Sequence, residues 1–177
     1  MTTLRTPRLT LRKPRPEDAV ALHLAMREPA AMRYWAHPEH ETLDQTRAYV
    51  AKMIAANAGG GDEFIIEHQG AVIGKAGMWR PHEIGFLLHP EHWGKGFARE
   101  ALDALIAHLF ATQDTDHLTA EVGPRNAASL GLLTRVGFVE THRAEKTLQW
   151  RDEWCDSVYL RLERTSSRLP FTSETQT

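Results

Sequence analysis

The stretch that most constrains the fold begins with an apolar run, Ile84-Gly85-Phe86-Leu87-Leu88. It passes through His89-Pro90-Glu91 into His92-Trp93-Gly94-Lys95-Gly96-Phe97-Ala98-Arg99-Glu100. Apolar residues then recur at Ala98, Ala101/Leu102, Leu105/Ile106 and Leu109. The first part reads as a strand and the last as an amphipathic helix with a period near 3.6. Gly94 and Gly96 remove side chains at the join, where the backbone must turn, so consecutive N–H groups can point at one centre. That centre lies at the positive end of the following helix, which suits a di- or polyphosphate, and Lys95 adds a point charge beside it. A bare Gly-x-Gly is usually only a turn; the strand before it and the helix after it favour the anion. The loop lacks the Gly-x-x-x-x-Gly-Lys-Ser/Thr frame of a P-loop.

The rest of the chain supplies a sheet and its covering helices. Arg8-Leu9-Thr10-Leu11-Arg12 alternates polar and apolar, as a half-buried strand does. Glu17-Asp18 suits the first turn of a helix that carries Val20, Leu22, Leu24 and Met26 and stops near Pro29. Residues 30 to 41 read as irregular, and Thr42 as the N-cap of a second helix that ends at Gly59-Gly60-Gly61. Phe64-Ile65-Ile66 and Ala71 to Met78, joined through Gln69-Gly70, read as an antiparallel hairpin. Further strands are expected at Glu83 to Leu88, His117 to Val122, Val139 to Leu148 and Asp156 to Leu162. A short helix runs from Asn126 to Val136, with Gly137 in a left-handed C-cap. The order β-α-α-β-β-β-α-β-α-β-β predicts an α/β fold, a mixed sheet covered by helices. A length of 177 residues suits one domain, taken as 1–165, with a frayed Ser/Thr-rich tail at 166–177.

Composition excludes several classes of function. The net charge of −2 argues against a general nucleic-acid or membrane-surface binder. No apolar run approaches the ~20 residues of a membrane span, and the first residues lack the apolar stretch of a secretory signal. Cys155 is the one cysteine, so there is no disulfide framework. A cytoplasmic protein is the consistent expectation. His-Pro-Glu-His occurs at 37–40 and 89–92, but each proline spoils the helical geometry that metal ligands would need, so no metal is expected. Cys155 lacks a local His partner and reads as a bystander.

Asn126-Ala127-Ala128-Ser129, then Leu132-Leu133 and Arg135-Val136-Gly137-Phe138, form a second constellation. A capped amphipathic helix explains it as well as a ligand contact does. Together the two motifs resemble the GNAT N-acetyltransferases, and most closely the branch of the ribosomal-protein N-terminal (RimJ/RimL-type) acetyltransferases. In that family a Gln/Arg-x-x-Gly-x-Gly/Ala loop binds the pyrophosphate of acetyl-coenzyme A (acetyl-CoA). Trp93-Gly94-Lys95-Gly96-Phe97-Ala98 occupies that place here, with Trp93 instead of Gln or Arg. Asn126, Ser129 and Gly137-Phe138 match the branch's Asn-x-x-Ser and Gly-Phe. Arg8 to Arg12 looks like its first strand and Glu83-Ile84-Gly85-Phe86 like its fourth. The resemblance covers roughly residues 7 to 162.

The resemblance implies a mostly antiparallel sheet, flanked by about four helices, whose fourth and fifth strands splay apart around the pantetheine arm. Acetyl-CoA is then the acetyl donor, held by the backbone of Phe86, Leu87 and Leu88, by Trp93 to Arg99, and by Asn126 and Ser129. Glu83 stands where many members place the general base, although an exposed strand-end carboxylate explains it equally. The family's usual Tyr acid falls at Leu133, so the thiolate must leave unaided or be served by Ser129. The Glu used by some ribosomal-protein acetyltransferases falls at Leu148, which puts a ribosomal substrate in question. Trp35, Trp150 and Trp154 fall where the family admits acceptors, and aromatic walls favour an apolar or ring-bearing amine; core packing explains at least two of them as well. The acceptor is then a primary amine, on a protein N-terminus or a small molecule, attacked directly in a ternary complex. A homodimer is compatible with this pattern. A non-catalytic acyl-CoA-binding module is the alternative from a different class.

Overall fold

Alternation along the strands decides which residues meet on each face of the sheet. In a computed structural model that describes residues 2–165, one sheet of eight strands runs in the order β1-β2-β3-β4-β5-β6-β8-β7. The strands are β1 (Thr3–Arg5), β2 (Leu9–Arg12), β3 (Asp62–His68), β4 (Ala71–Arg80), β5 (Glu83–Leu88), β6 (His117–Val122), β7 (Val139–Trp150) and β8 (Glu153–Glu163). The helices are α1 (Asp18–Met26), α2 (Pro29–Met32), α3 (Leu43–Ala58), α4 (Phe97–Thr112) and α5 (Ala127–Arg135). Neighbouring strands pair antiparallel except β5 and β6, which run parallel.

One core joins Leu11, Phe64, Ala76 and Ile84 of the sheet to Leu102, Leu105 and Leu109 of α4 and Leu133 of α5. The other joins Ile65 and Leu87 to Leu22, Met26, Val50 and Met53 of α1 and α3. Each fully buried aliphatic or Phe side chain stabilises the fold by about 1.5–3 kcal/mol, so α4 and α1–α3 are anchored to opposite faces. Residues of β5 therefore divide cleanly. Ile84 and Leu88 belong with α4, whereas Leu87, and by alternation Gly85 and Glu83, belong to the other face.

The helix ends follow their local chemistry. Thr42 caps α3 in a full capping box: its hydroxyl accepts from the Gln45 N–H, and Gln45 Oε1 accepts from the Thr42 N–H at 2.9 Å. Gly137, at φ 107°, follows α5, and the Phe138 N–H closes back on the Leu133 carbonyl at 3.0 Å. Gln69 and Gly70 both take positive φ, and their hairpin forms as expected.

Four expectations need correction. Thr3–Arg5 adds an edge strand, so the pair expected as fourth and fifth is β5 and β6. Pro29–Met32 is a helical turn inside the stretch read as irregular, because Pro29 fits the first helical position. There are thus five α-helices among the described residues rather than about four. The last hairpin is longer than expected, with its turn at Arg151 and Asp152, so Trp150 and Trp154 lie in strands rather than between them. The 166–177 tail lies outside the described residues.

Candidate active site

The sheet opens at one place. β5 and β6 share a single paired position, Glu83 with Thr119. Beyond it β5 stays with β4 as far as Leu88, and β6 stays with β8 as far as Val122. Past Glu83, the side of β5 that faces the gap is therefore not paired with β6. The gap leads to the glycine loop at the start of α4.

That loop is built from backbone. Gly94 and Gly96 take φ of 69° and 80°, the left-handed region that favours glycine, and a Cβ at Gly94 would meet nothing within 4 Å. Side chains cap α3 and α5, but no side chain caps α4, whose N-cap is Gly96. Its first N–H groups are thus open to an outside acceptor, and the site fits the pyrophosphate of acetyl-CoA. Lys95 is exposed beside it. Trp93 is 48% exposed and donates its indole N–H to the Leu88 carbonyl at 2.9 Å, tying the loop to the end of β5.

The other predicted donor-side residues sort by what they can offer. Leu87, Leu88 and Phe97 have buried side chains, so only their backbone can serve a ligand. Phe86 and Ala98 pack at the rim of the core. Arg99 is engaged along its helix with Asp103 at 2.8 Å. Asn126 spends its side-chain oxygen on the Ser129 N–H at 3.2 Å, as a helix cap. Leu133, in the place of the family's Tyr, is fully buried.

The opposite face holds side chains. Glu83 lines a cleft with Thr119, His142, Tyr159 and Arg161. Arg80 grips Glu83 Oε2 with two N–H groups, at 2.5 and 3.0 Å, leaving Oε1 outside that clamp. Sequence reasoning missed Glu121, which accepts from Ser157 Oγ at 2.6 Å and Tyr159 Oη at 3.3 Å. Burial and the nearby Glu121 raise the Tyr159 pKa, so this phenol keeps its proton at neutral pH. The His142 ring stacks on Tyr159 at 4.3 Å.

A buried polar cluster underlies the same face. Lys75 Nζ lies 2.8 Å from Glu63 Oε2 and 5.6 Å from the Trp35 ring, with Tyr49 alongside. Burial disfavours the Lys75 charge, but Glu63 and Tyr49 outweigh it and raise the pKa. Thr46 Oγ1 meets His23 Nδ1 at 2.7 Å and His40 Nδ1 at 2.8 Å. Burial, and then the charges of His37 and His23, lower His40 to about 4. Arg151 in the last hairpin pairs with Glu39 at 2.5 Å, joining that hairpin to the loop after α2.

Of the three predicted acceptor-side tryptophans, Trp35 packs on Tyr49 in the core beside α1–α3. Trp150 pairs across the hairpin with Glu153 and so shares a face with Cys155 and Ser157; its indole nitrogen is buried without a hydrogen-bond partner among the described residues. Trp154 is 56% exposed and by alternation falls on the other face. Cys155 is half-buried, 3.8 Å from Arg125 Nη2. No group of three or more His, Cys, Asp or Glu able to hold a metal occurs among the described residues. None of their helices is long and apolar enough to cross a membrane.

A sheet parted beside an uncapped glycine loop offers an open strand edge and free helix N–H groups to an extended anionic ligand. Residues 8–139 match the acetyltransferase (GNAT) domain. The chain belongs to the GNAT acetyltransferase family, and it is an N-acetyltransferase with acetyl-CoA as its donor. An uncharacterized N-acetyltransferase p20 of Bacillus licheniformis is 33% identical over 147 residues, covering 78% of this chain and 83% of that protein. The structure of the ribosomal α-N-protein acetyltransferase RimL with coenzyme A superposes with a TM-score of 0.81 at 19% identity, covering 92% of this chain and 98% of the other. That of a Vibrio cholerae spermidine N-acetyltransferase with coenzyme A and spermine gives 0.77 at 23% identity, covering 89% and 96%.

Proposed function

We propose that this enzyme acetylates a primary amine, on a protein N-terminus or a small molecule, by direct attack in a ternary complex with Glu83 as general base. The observation that carries this reading is the place of Glu83. It is the first residue of β5 and the one position registered with β6, and its carboxylate lines the cleft on the face opposite α4. Relatives named for action on spermidine and on a ribosomal protein support amines of both sizes.

Acetyl-CoA supplies a thioester carbon that a neutral amine can attack. Glu83 Oε1 takes the proton from the amine, directly or through water, while the Arg80 clamp fixes the carboxylate through Oε2. The open backbone edge of β5 and the first N–H groups of α4 hold and orient the donor. Ser129, whose N–H closes on Asn126, lies at the start of α5 and serves as a donor contact. The aliphatic Leu133 can give no proton, so protonation of the leaving sulfur falls to water; an ordinary thiol pKa of about 8.5 tolerates this. Trp35 and Trp150 form the walls that meet the acceptor.

A thiol-release assay over N-terminal peptides, free amino acids, polyamines and aminoglycosides tests the reading. At least one primary amine should release one thiol per N-acetyl group formed. Transfer to alcohols alone, or to no amine in the panel, would overturn it.

A further inference from the structure

The N-terminal segment reaches across the molecule to the glycine loop. Arg8 Nη1 donates to the Lys95 carbonyl at 2.8 Å, and its Nε to Glu100 Oε2 at 2.7 Å. The Arg8 N–H donates to Glu100 Oε1 at 2.8 Å, and Thr6 Oγ1 donates to the same oxygen at 2.6 Å. The guanidinium also lies 4.6 Å above the Phe97 ring. Glu100 is the acidic residue in the first turn of α4. Two bonded residues ahead of β2 thus clamp both the loop and the helix that follows it.

The bond to Lys95 has a directional consequence. In a trans peptide the C=O and the following N–H point in opposite directions. Tying the Lys95 carbonyl back to Arg8 therefore turns the Gly96 N–H outward. Gly96 tolerates either sign of φ, so its own sterics hold that peptide plane in place only weakly. Arg8 supplies what glycine lacks. We infer that Arg8 is a positioning residue for the donor: its guanidinium holds the Lys95 carbonyl so that the Gly96 N–H faces the pyrophosphate of acetyl-CoA. This rests on the assignment of the Trp93–Ala98 loop to that pyrophosphate. The charge of Arg8 is matched by Glu100 and two of its nitrogens are engaged, so it acts by geometry rather than by attraction. Lysine keeps the charge but cannot make both bonds from one rigid fork.

Calorimetry with acetyl-CoA, together with the KM for acetyl-pantetheine, which lacks the pyrophosphate, provides the test. Arg8→Gln and Arg8→Lys should each raise the acetyl-CoA Kd about five- to tenfold, where tenfold is 1.4 kcal/mol. The acetyl-pantetheine KM should hold, and the thermal midpoint should move little, because an exposed ion pair stabilises a fold only weakly. Thr6→Val loosens Glu100 without touching the guanidinium and should show the same pattern at smaller size. Unchanged affinity in Arg8→Gln alongside a loss in Gly96→Val would overturn the role of Arg8 and leave the loop assignment standing. Unchanged affinity in both would overturn the loop assignment, and Arg8 with it. Full affinity in Arg8→Lys, or equal losses for both donors, would also overturn the positioning role.

Discussion

The two sides of the parted sheet are made of different materials. The side proposed for the donor is exposed backbone: two left-handed glycines, an uncapped helix start and one free strand edge. The side proposed for the acceptor is mostly side chains, with a buried Lys75–Glu63 pair, histidines around Thr46 and the Glu83 carboxylate in a cleft. Backbone presents the same donors whatever the side chains are, which suits an invariant pyrophosphate. Side chains can be exchanged, which suits an acceptor that differs between relatives. Variants should therefore damage one side and spare the other.

The largest expected effect is on the acceptor side. Lys75→Met strands Glu63 as a buried, unpaired charge and should cost about 3–5 kcal/mol in a urea titration. Replacing both partners, Lys75→Met with Glu63→Leu, should recover most of that loss. A single variant as stable as the parent would mean the pair is not closed as described.

On the donor side, Gly96→Val should weaken acetyl-CoA at least tenfold, about 1.4 kcal/mol, by calorimetry. Its Cβ would sit at φ 80° and 3.2 Å from Arg8 Nη2. Lys95→Ala should cost less, and its effect should shrink in salt.

Gly85→Ala sharpens the contrast further. Gly85, paired with Gly77, is a break in the side chains of that face. An added Cβ at Gly85 meets nothing nearer than Trp79 Cδ1 at 3.9 Å, so the fold should accept it. The acceptor KM should rise about threefold or more while donor Kd holds, the signature of lost acceptor binding alone. Equal effects on both substrates would remove Gly85 from the acceptor floor.

The smallest effect is a pH dependence. His40 titrates near 4 in the fold and near 6.5 when unfolded, so between these values the unfolded chain binds the extra proton. Stability should fall as pH drops from 6.5 to 4, on the order of 1 kcal/mol, and His40→Gln should flatten that slope. Asp62 acts in a separate window. Burial raises its pKa, but His108 and Lys13 outweigh this and lower it to about 2, so its stabilisation is lost only below 3.8. An unchanged slope in His40→Gln would place the acid-sensitive group elsewhere.

The same contrast explains what the sequence revealed. The strand, glycine loop and helix proposed for the donor are contiguous from Glu83 to Arg99, and their signals sit in chain order, so the fold and the shape of the loop were legible together. Arg8 was not, because its partner Glu100 lies 92 residues away and nothing local marks the pair. Arg151 and Glu39, separated by 112, escaped for the same reason. Glu121 had a weak signal: Leu118, Ala120 and Val122 claim one face of β6, which leaves Thr119 and Glu121 on the other. Trp150 and Trp154 were misplaced because the hairpin's Arg151-Asp152 turn carries no glycine or proline to mark it.

The proposed base, Glu83, stands where both sides meet, and Glu83→Gln tests it most directly. Acetyl-CoA affinity measured by calorimetry should be unchanged, because the contacts proposed for the donor are backbone. Turnover at saturating substrates should fall about 10²-fold or more, in line with a lost general base. Near-normal turnover in Glu83→Gln across the pH range, with donor affinity intact, would contradict Glu83 as the base.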